Sequence, residues 1–374
     1  MKVLTVVDPQ IPLSKMHHVG ATMLPYDLCQ SLADESRIEM SLLVHNDLEV
    51  ESLNGVGIVD LGEPKARYQQ QVYKVLQGIV DDYDIIHIHI STPGFVKYLV
   101  EFPKSVQKKI IYTMHTWTNS LAVSYFYRDY FYKLVTDSEV NIVFLTHKQS
   151  DALLKSVGCT EFYNRSRIHY IKNAVNLDVD QIYEECQEDD IQRHTGRAIA
   201  VGRMVESKGI DKIVKACIET NQKLLLVSPS WRMTPKEQKY RDKVLELINS
   251  APEGLITLSE GMDHHELMKE IYKSNFGILF STFDVFSLFI LECVSLMTPV
   301  LAYNAGSTAE VCDIFEDHGV IKFNNYKELV NLLKWSPVDD MTKTYCSLPC
   351  DCRYPVFVSN YMKLYNEVYR YSQD

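Results

Sequence analysis

Two short segments of this 374-residue chain put charged side chains where a strand hands over to a helix. In the first, Ala200-Val201-Gly202-Arg203-Met204-Val205-Glu206-Ser207-Lys208-Gly209-Ile210, an apolar run ends at Gly202. Arg203 and Lys208 follow, and a helical pattern begins after Gly209. Backbone N–H groups at such a turn already favour an anion. A guanidinium can hold a diphosphate through two parallel hydrogen bonds. The same residues also suit a solvated surface turn.

In the second segment, Phe283-Asp284-Val285-Phe286-Ser287-Leu288-Phe289-Ile290-Leu291-Glu292, two carboxylates flank a junction between a strand at Gly277–Ser281 and a helix starting near Ser287. Asp284 falls in the loop, and Glu292 lies about one and a half turns into the helix. Around Phe286, Ser287 and Leu288 the first N–H groups of the helix lack intrahelical partners. Amides for phosphate and carboxylates for sugar hydroxyls would together read a nucleotide sugar. The plainer alternative is an acid favoured by the helix dipole plus a solvated glutamate.

The elements that must position these groups alternate along the chain. Apolar runs of strand length fall at Val3–Val7, Met40–Val44, Ile85–Ile90, Lys109–Met114, Asn141–Leu145 and Ile168–Ile171 in the first half. In the second half they fall at Ala198–Val201, Leu224–Val227, Leu255–Leu258, Phe276–Phe280, Pro299–Ala302 and Val320–Phe323. Helical patterns lie between them, among them Ala21–Ala33, Tyr68–Val80, Leu121–Val135, Ile210–Glu219 and Leu288–Leu296. Continuous β-branched runs between amphipathic helices predict parallel strands covered on both faces. Two such series predict an α/β fold of two doubly wound Rossmann-like domains facing across a cleft, with ligands at the carboxyl ends of the strands. The expected boundaries are residues 1–180 and 190–352, with the acidic stretch Asp178–Asp190 as the seam and 353–374 as a C-terminal helix packing back on the first domain.

Composition bounds the function. Hydrophobic residues make up 46% and charged residues 23%, which excludes disorder and fibrous repeats. A net charge of −11 argues against a surface that grips nucleic acid or anionic lipid throughout. The nine cysteines are odd in number, no secretory signal opens the sequence, and no apolar run is long enough to span a bilayer. A cytoplasmic protein with free thiols is the expectation.

Taken together, the two charged segments resemble the retaining GT-B glycosyltransferases of family 4, the glycosyl transferases group 1. That family shows a glycine-arginine…lysine-glycine loop, an acid-x7-acid segment, a proline-valine strand and a glycine-rich turn before Glu. This chain offers Gly202-Arg203…Lys208-Gly209, Asp284…Glu292, Thr298-Pro299-Val300 and Gly306-Ser307-Thr308-Ala309-Glu310 in the same order. Val19-Gly20-Ala21, Asp84-Ile85-Ile86-His87-Ile88-His89, Thr113-Met114-His115-Thr116-Trp117, Ile171-Lys172-Asn173-Ala174-Val175-Asn176 and Tyr361…Tyr365 extend the likeness over nearly the whole chain. The resemblance implies transfer of a sugar, with retention, from a nucleoside-diphosphate sugar to an acceptor hydroxyl, without a metal or other cofactor. The nucleotide would be UDP or GDP, and the acceptor a saccharide or a lipid-linked molecule. Arg203 and Lys208 would hold the diphosphate and Glu292 the ribose. Asp284 and His115 would act at the donor sugar. Gly20 and the backbone at Phe286, Ser287 and Leu288 would approach the donor closely.

The chain departs from that pattern at Asp284, where the family has Glu, and at Val19, Ser287, Met297 and Ser307, where it has glycine. These losses motivate a rival reading, a non-catalytic sugar-nucleotide-binding or partner protein on the same scaffold. A further rival is transfer to a modified base in DNA, for which the aromatic run Tyr125–Lys133 and two basic patches leave room: Lys104, Lys108 and Lys109; Arg232, Lys236, Lys239, Arg241 and Lys243. An epimerase of the same architecture is a third. His87 and His89 share one strand face but lack an evident third metal ligand. His17 and His18 precede Gly20 in a loop, and Cys346, Cys350 and Cys352 read as free thiols.

Overall fold

The computed structural model describes residues 1–8, 20–35, 37–44, 54–62, 67–116, 125–188, 196–229, 233–282, 284–306, 308–334 and 348–373. His17, His18, Val19, Trp117, Arg232, Phe283, Ser307 and Cys346 lie outside the described residues.

The chain divides into two compact units, Met1–Ala174 with Tyr354–Asp374, and Val175–Arg353. In the first, β1 (Lys2–Val6), β2 (Glu39–Val44), β3 (Val56–Asp60), β4 (Ile85–Ile88), β5 (Ile110–Thr113), β6 (Asn141–Phe144) and β7 (Ile168–Tyr170) form a sheet in the order β3-β2-β1-β4-β5-β6-β7. In the second, β8 (Arg197–Val201), β9 (Lys223–Ser228), β10 (Ile256–Glu260), β11 (Phe276–Leu279), β12 (Val300–Tyr303) and β13 (Val320–Phe323) follow the order β10-β9-β8-β11-β12-β13. The strand pairs of both sheets are parallel. Each order reverses once, at β1/β4 and at β8/β11. Such switch points open a crevice at the carboxyl ends of the strands.

The central strands β4, β5, β6 and β11 are buried at every residue. Their unbroken apolar runs follow from helices on both faces. The edge strand β3 carries exposed residues and includes Gly57, so no apolar run announces it. Val179–Glu188 is a helix of the second unit, with Ile182 and Cys186 buried one turn apart. Its Glu185 accepts hydrogen bonds from Lys269 and His265, which hold that carboxyl down at about 2.

The C-terminal helix Tyr354–Gln373 belongs to the first unit. Phe357, Tyr361, Leu364, Tyr365 and Val368 repeat at helical spacing and pack with Leu24, Leu28, Cys29 and Leu32 of the helix Gly20–Ala33 and with Val3, Ile85 and Ile111 of the sheet. Two phenols, Tyr361 and Tyr365, are thereby fully buried under the sheet, where each needs a polar partner.

Candidate functional site

In the second unit the two charged segments meet at the β8/β11 switch point. Gly209 takes φ +60°, and a Cβ there would lie 2.7 Å from the Phe280 carbonyl oxygen, so only glycine lets the loop pass this close to β11. The loops on either side are laced together. The Thr282 N–H and hydroxyl donate to the Ser207 carbonyl at 2.8 and 3.1 Å. This brings Lys208 Nζ into a direct ion pair with Asp284 Oδ1. Asp284 Oδ2 is buried and has no hydrogen-bond partner among the described residues. Arg203, on the same loop, acts electrostatically on Glu237 and helps to lower the pKa of that carboxyl, behind its backbone hydrogen bond at Thr234.

Ser287 is the N-cap of the helix Leu288–Ser295, with extended backbone (φ −69°, ψ 119°), and its hydroxyl makes no capping bond. The first N–H groups of this helix therefore receive no side-chain cap from Ser287. The Phe286 ring is buried and lies edge-on to Phe315. Glu292 is 4% exposed, and its Oε1 lies 3.0 Å from His264 Nε2. His264 opens the helix His264–Lys273, capped by Asp263. Sequence reading missed His264, because nothing local ties it to a carboxylate 28 positions downstream.

In the first unit a second polar cluster forms at the β1/β4 switch point. Buried Asp8 accepts from the Ser91 hydroxyl at 3.0 Å, and the Tyr68 hydroxyl lies 2.6 Å from Thr92 Oγ1. Beside it, His115 follows β5 and joins the paired histidines of β4. His115 Nε2 is 2.9 Å from His89 Nδ1, and His89 Nε2 is 3.2 Å from His87 Nδ1. His87 also reaches the Tyr365 hydroxyl at 2.7 Å through Nδ1 and Thr113 Oγ1 at 2.8 Å through Nε2. Burial pushes the His115 pKa down to about 4 and those of His87 and His89 well below the ordinary range, so all three imidazoles are neutral.

The main chain at His115 is clamped by Gln149. Its side-chain amide donates to the carbonyls of Met114 and Thr116 at 2.7 and 2.9 Å, one on each side of His115. Its oxygen accepts from Leu145 N–H. Gln149 has no sequence signature beyond a polar residue early in a helix. Gly20 is the first residue of the helix Gly20–Ala33. Of the aromatic run, Phe131 is buried, Tyr127 and Tyr130 pack against the core, and Tyr125 and Phe126 are exposed. The described helix there is Arg128–Thr136, and residues 121–124 of the expected Leu121–Val135 helix lie outside the described residues.

Residues 186–340 match the family model described as Glycosyl transferases group 1. Among curated proteins, an uncharacterized 41.2 kDa protein of the cps region of Klebsiella pneumoniae is 20% identical over 266 residues, covering 67% of this chain and 68% of that one. Among solved structures, sucrose-phosphate synthase from Thermosynechococcus elongatus superposes with a TM-score of 0.73 at 14% identity, covering 99% of each chain. HepE of Anabaena, in complex with UDP and glucose, gives a TM-score of 0.67 at 16% identity over 100% of this chain and 97% of that one. The UDP-forming trehalose-phosphate synthase of Burkholderia xenovorans gives 0.69 at 12% identity over 98% and 99%. The fold is that of the GT-B glycosyltransferases.

Proposed function

We propose that this protein, in which residues 186–340 form a glycosyl transferases group 1 domain, transfers a sugar from a nucleoside-diphosphate sugar to an acceptor hydroxyl with retention. The observation that carries this reading is the Lys208–Asp284 pair at the β8/β11 switch point, with the second oxygen of Asp284 unbonded among the described residues. A buried carboxylate oxygen without a donor is costly unless a ligand supplies one. A sugar hydroxyl is such a donor. Lys208, Arg203 and the N-terminus of Leu288–Ser295 would stabilise the charge that develops on the departing diphosphate. These cationic side chains supply the charge that a metal ion would otherwise bring. Glu292, held by His264, would accept from the ribose hydroxyls.

UDP is the proposed nucleotide, with HepE, which is solved with UDP, in support. In the first unit, neutral His115 would accept a hydrogen bond from a substrate hydroxyl. The proposed acceptor is a saccharide or a lipid-linked saccharide. Two of the missing glycines leave the backbone intact, which favours an active enzyme over a silent scaffold. Ser287 has an extended conformation open to any residue, and Met297 holds φ +54° itself.

The test is calorimetric titration with UDP, GDP and ADP, followed by transfer assays with the matching sugar conjugates, with and without EDTA. Micromolar UDP binding and EDTA-resistant transfer to a saccharide are expected. Transfer only to modified duplex DNA would replace the acceptor class. Tight nucleotide binding without turnover of any conjugate would leave a binding protein.

A further inference from the structure

The hydrogen-bonded line from His115 through His89 and His87 ends on the C-terminal helix, at a residue 278 positions away from His87 in sequence. Each neutral imidazole carries one N–H and one bare nitrogen, so neighbours in the line constrain each other. Only two proton arrangements are self-consistent. In one, His87 is protonated on Nδ1 and donates towards Tyr365. His89 Nε2 then accepts, His89 Nδ1–H donates to His115 Nε2, and His115 carries its proton on Nδ1. In the other, Tyr365 donates to His87 Nδ1 and His87 Nε2–H donates to Thr113. His89 Nε2–H then also donates to His87 Nδ1, His115 Nε2–H donates to His89 Nδ1, and His115 Nδ1 is bare.

The contact between His87 and Tyr365 chooses between them. A phenol is a stronger proton donor than a neutral imidazole N–H, and an imidazole nitrogen is a stronger acceptor than a phenol oxygen. The shorter of the two contacts at His87 Nδ1, at 2.7 Å against 3.2 Å, is the one to Tyr365. Thr113 can take the His87 Nε2 proton, because its own hydroxyl hydrogen has the Tyr361 oxygen 3.1 Å away. Burial holds the Tyr365 phenol protonated and the imidazoles neutral, so no charged state competes.

We propose that Tyr365, acting through His87 and His89, fixes the proton of His115 on Nε2 and leaves Nδ1 as a bare acceptor for a substrate hydroxyl. Tyr365, His87 and His89 are positioning residues, and His115 is the group that touches substrate. His115 Nδ1 has no partner among the described residues, and Gln149 prevents the loop from swinging the ring out of line. A neutral acceptor of this kind recognises a hydroxyl and disfavours a phosphate oxygen, which brings no proton. The assignment of the hydroxyl to a sugar or acceptor rests on the glycosyl-transfer reading, whereas the tautomer does not.

The experiment is histidine-selective 15N NMR of the full-length protein at neutral pH, with the His115 signals identified by their loss in His115→Asn. The wild type should show a pyrrole-type Nε2 and a pyridine-type Nδ1 at His115. In Tyr365→Phe, whose folding is checked by circular dichroism, both His115 nitrogens should move towards averaged values. Its kcat should fall at least about tenfold while UDP affinity stays unchanged. A wild-type proton on Nδ1 overturns the proposal, as does an unaltered His115 spectrum in folded Tyr365→Phe. If Tyr365→Phe does not fold, the wild-type spectrum decides alone. The expected spectrum together with no transfer from any donor would overturn the glycosyl-transfer reading and leave the relay standing.

Discussion

Lys208 and Asp284 are joined across the β8/β11 switch point, 76 residues apart in sequence, with side chains only 22% and 18% exposed. The pair ties the cation of the loop after β8 to the acid of the loop after β11, so neither is a lone surface charge. Lys208→Met should remove one diphosphate contact and release Asp284. A fall in kcat/KM of about 10²–10³-fold is expected, as for removal of a single charge-stabilising donor. Asp284→Asn keeps the shape and a hydrogen-bonding oxygen but loses the ion pair, so it should lower kcat more than it weakens UDP. Steady-state kinetics and UDP calorimetry on both variants check this, and wild-type kinetics in Lys208→Met would remove the loop from the site.

Glu292 and His264 make a separate prediction. In the proposed role a ribose-binding carboxylate, here 4% exposed, needs its orientation fixed, and His264 at 3.0 Å is placed to do so. His264→Ala should raise the Kd for UDP several-fold and leave kcat at saturating donor nearly unchanged, the signature of lost uniform binding. Glu292→Gln should have a larger effect in the same direction. Equal UDP affinity in all three proteins would place the ribose elsewhere.

Met297 stands in the left-handed region at φ +54°, the conformation of a glycine, and is 43% exposed. An L-residue there is strained by roughly 1–2 kcal/mol, partly offset by the greater entropy that glycine loses on folding. Met297→Gly should therefore stabilise the second unit by up to about 1 kcal/mol without changing UDP affinity. Denaturant titration reads the first quantity and calorimetry the second. A destabilised variant would mean that the Met297 side chain contributes packing that outweighs its backbone strain.

The central strands could be read from the sequence because full burial writes itself as an unbroken apolar run, as in Ile85-Ile86 and Ile110-Ile111. The edge strand β3 could not, since its exposed residues break the run. At the site, Arg203, Lys208, Asp284 and Glu292 were visible as types and spacings. Their pairing was not, because it depends on β8 lying beside β11, a fact of sheet order. The alternation of His87 and His89 was visible too, whereas their link to Tyr365 needed the C-terminal helix to be placed under the first sheet. Gln149 and His264 were missed for the same reason, since each acts on a residue brought near only by the fold.

Acid should destabilise the first unit in a window that its histidines define. His115 and His169 sit at about 4 in the fold, both through burial, with Arg167 adding to it at His169, and burial holds His87 and His89 well below the ordinary value. In the unfolded chain they take the ordinary histidine value of 6.5. Between these limits the unfolded chain binds more protons than the fold, so stability rises with pH and is lost as pH falls from about 6.5 towards 4. Each histidine contributes a slope of up to about 1.4 kcal/mol per pH unit there. Carboxylates such as Glu185, at about 2 in the fold against 4.5 free, add a dependence of the same sign mainly below about pH 5. Unfolding at pH 5.5 should thus take up about three to four protons from solvent onto the four histidines, and His169→Gln should remove about one of them. Denaturant midpoints measured every half pH unit from 5 to 7 give these numbers. A flat profile over that interval would mean that the three relay histidines are not held neutral, and the bare Nδ1 acceptor at His115 would lose its basis.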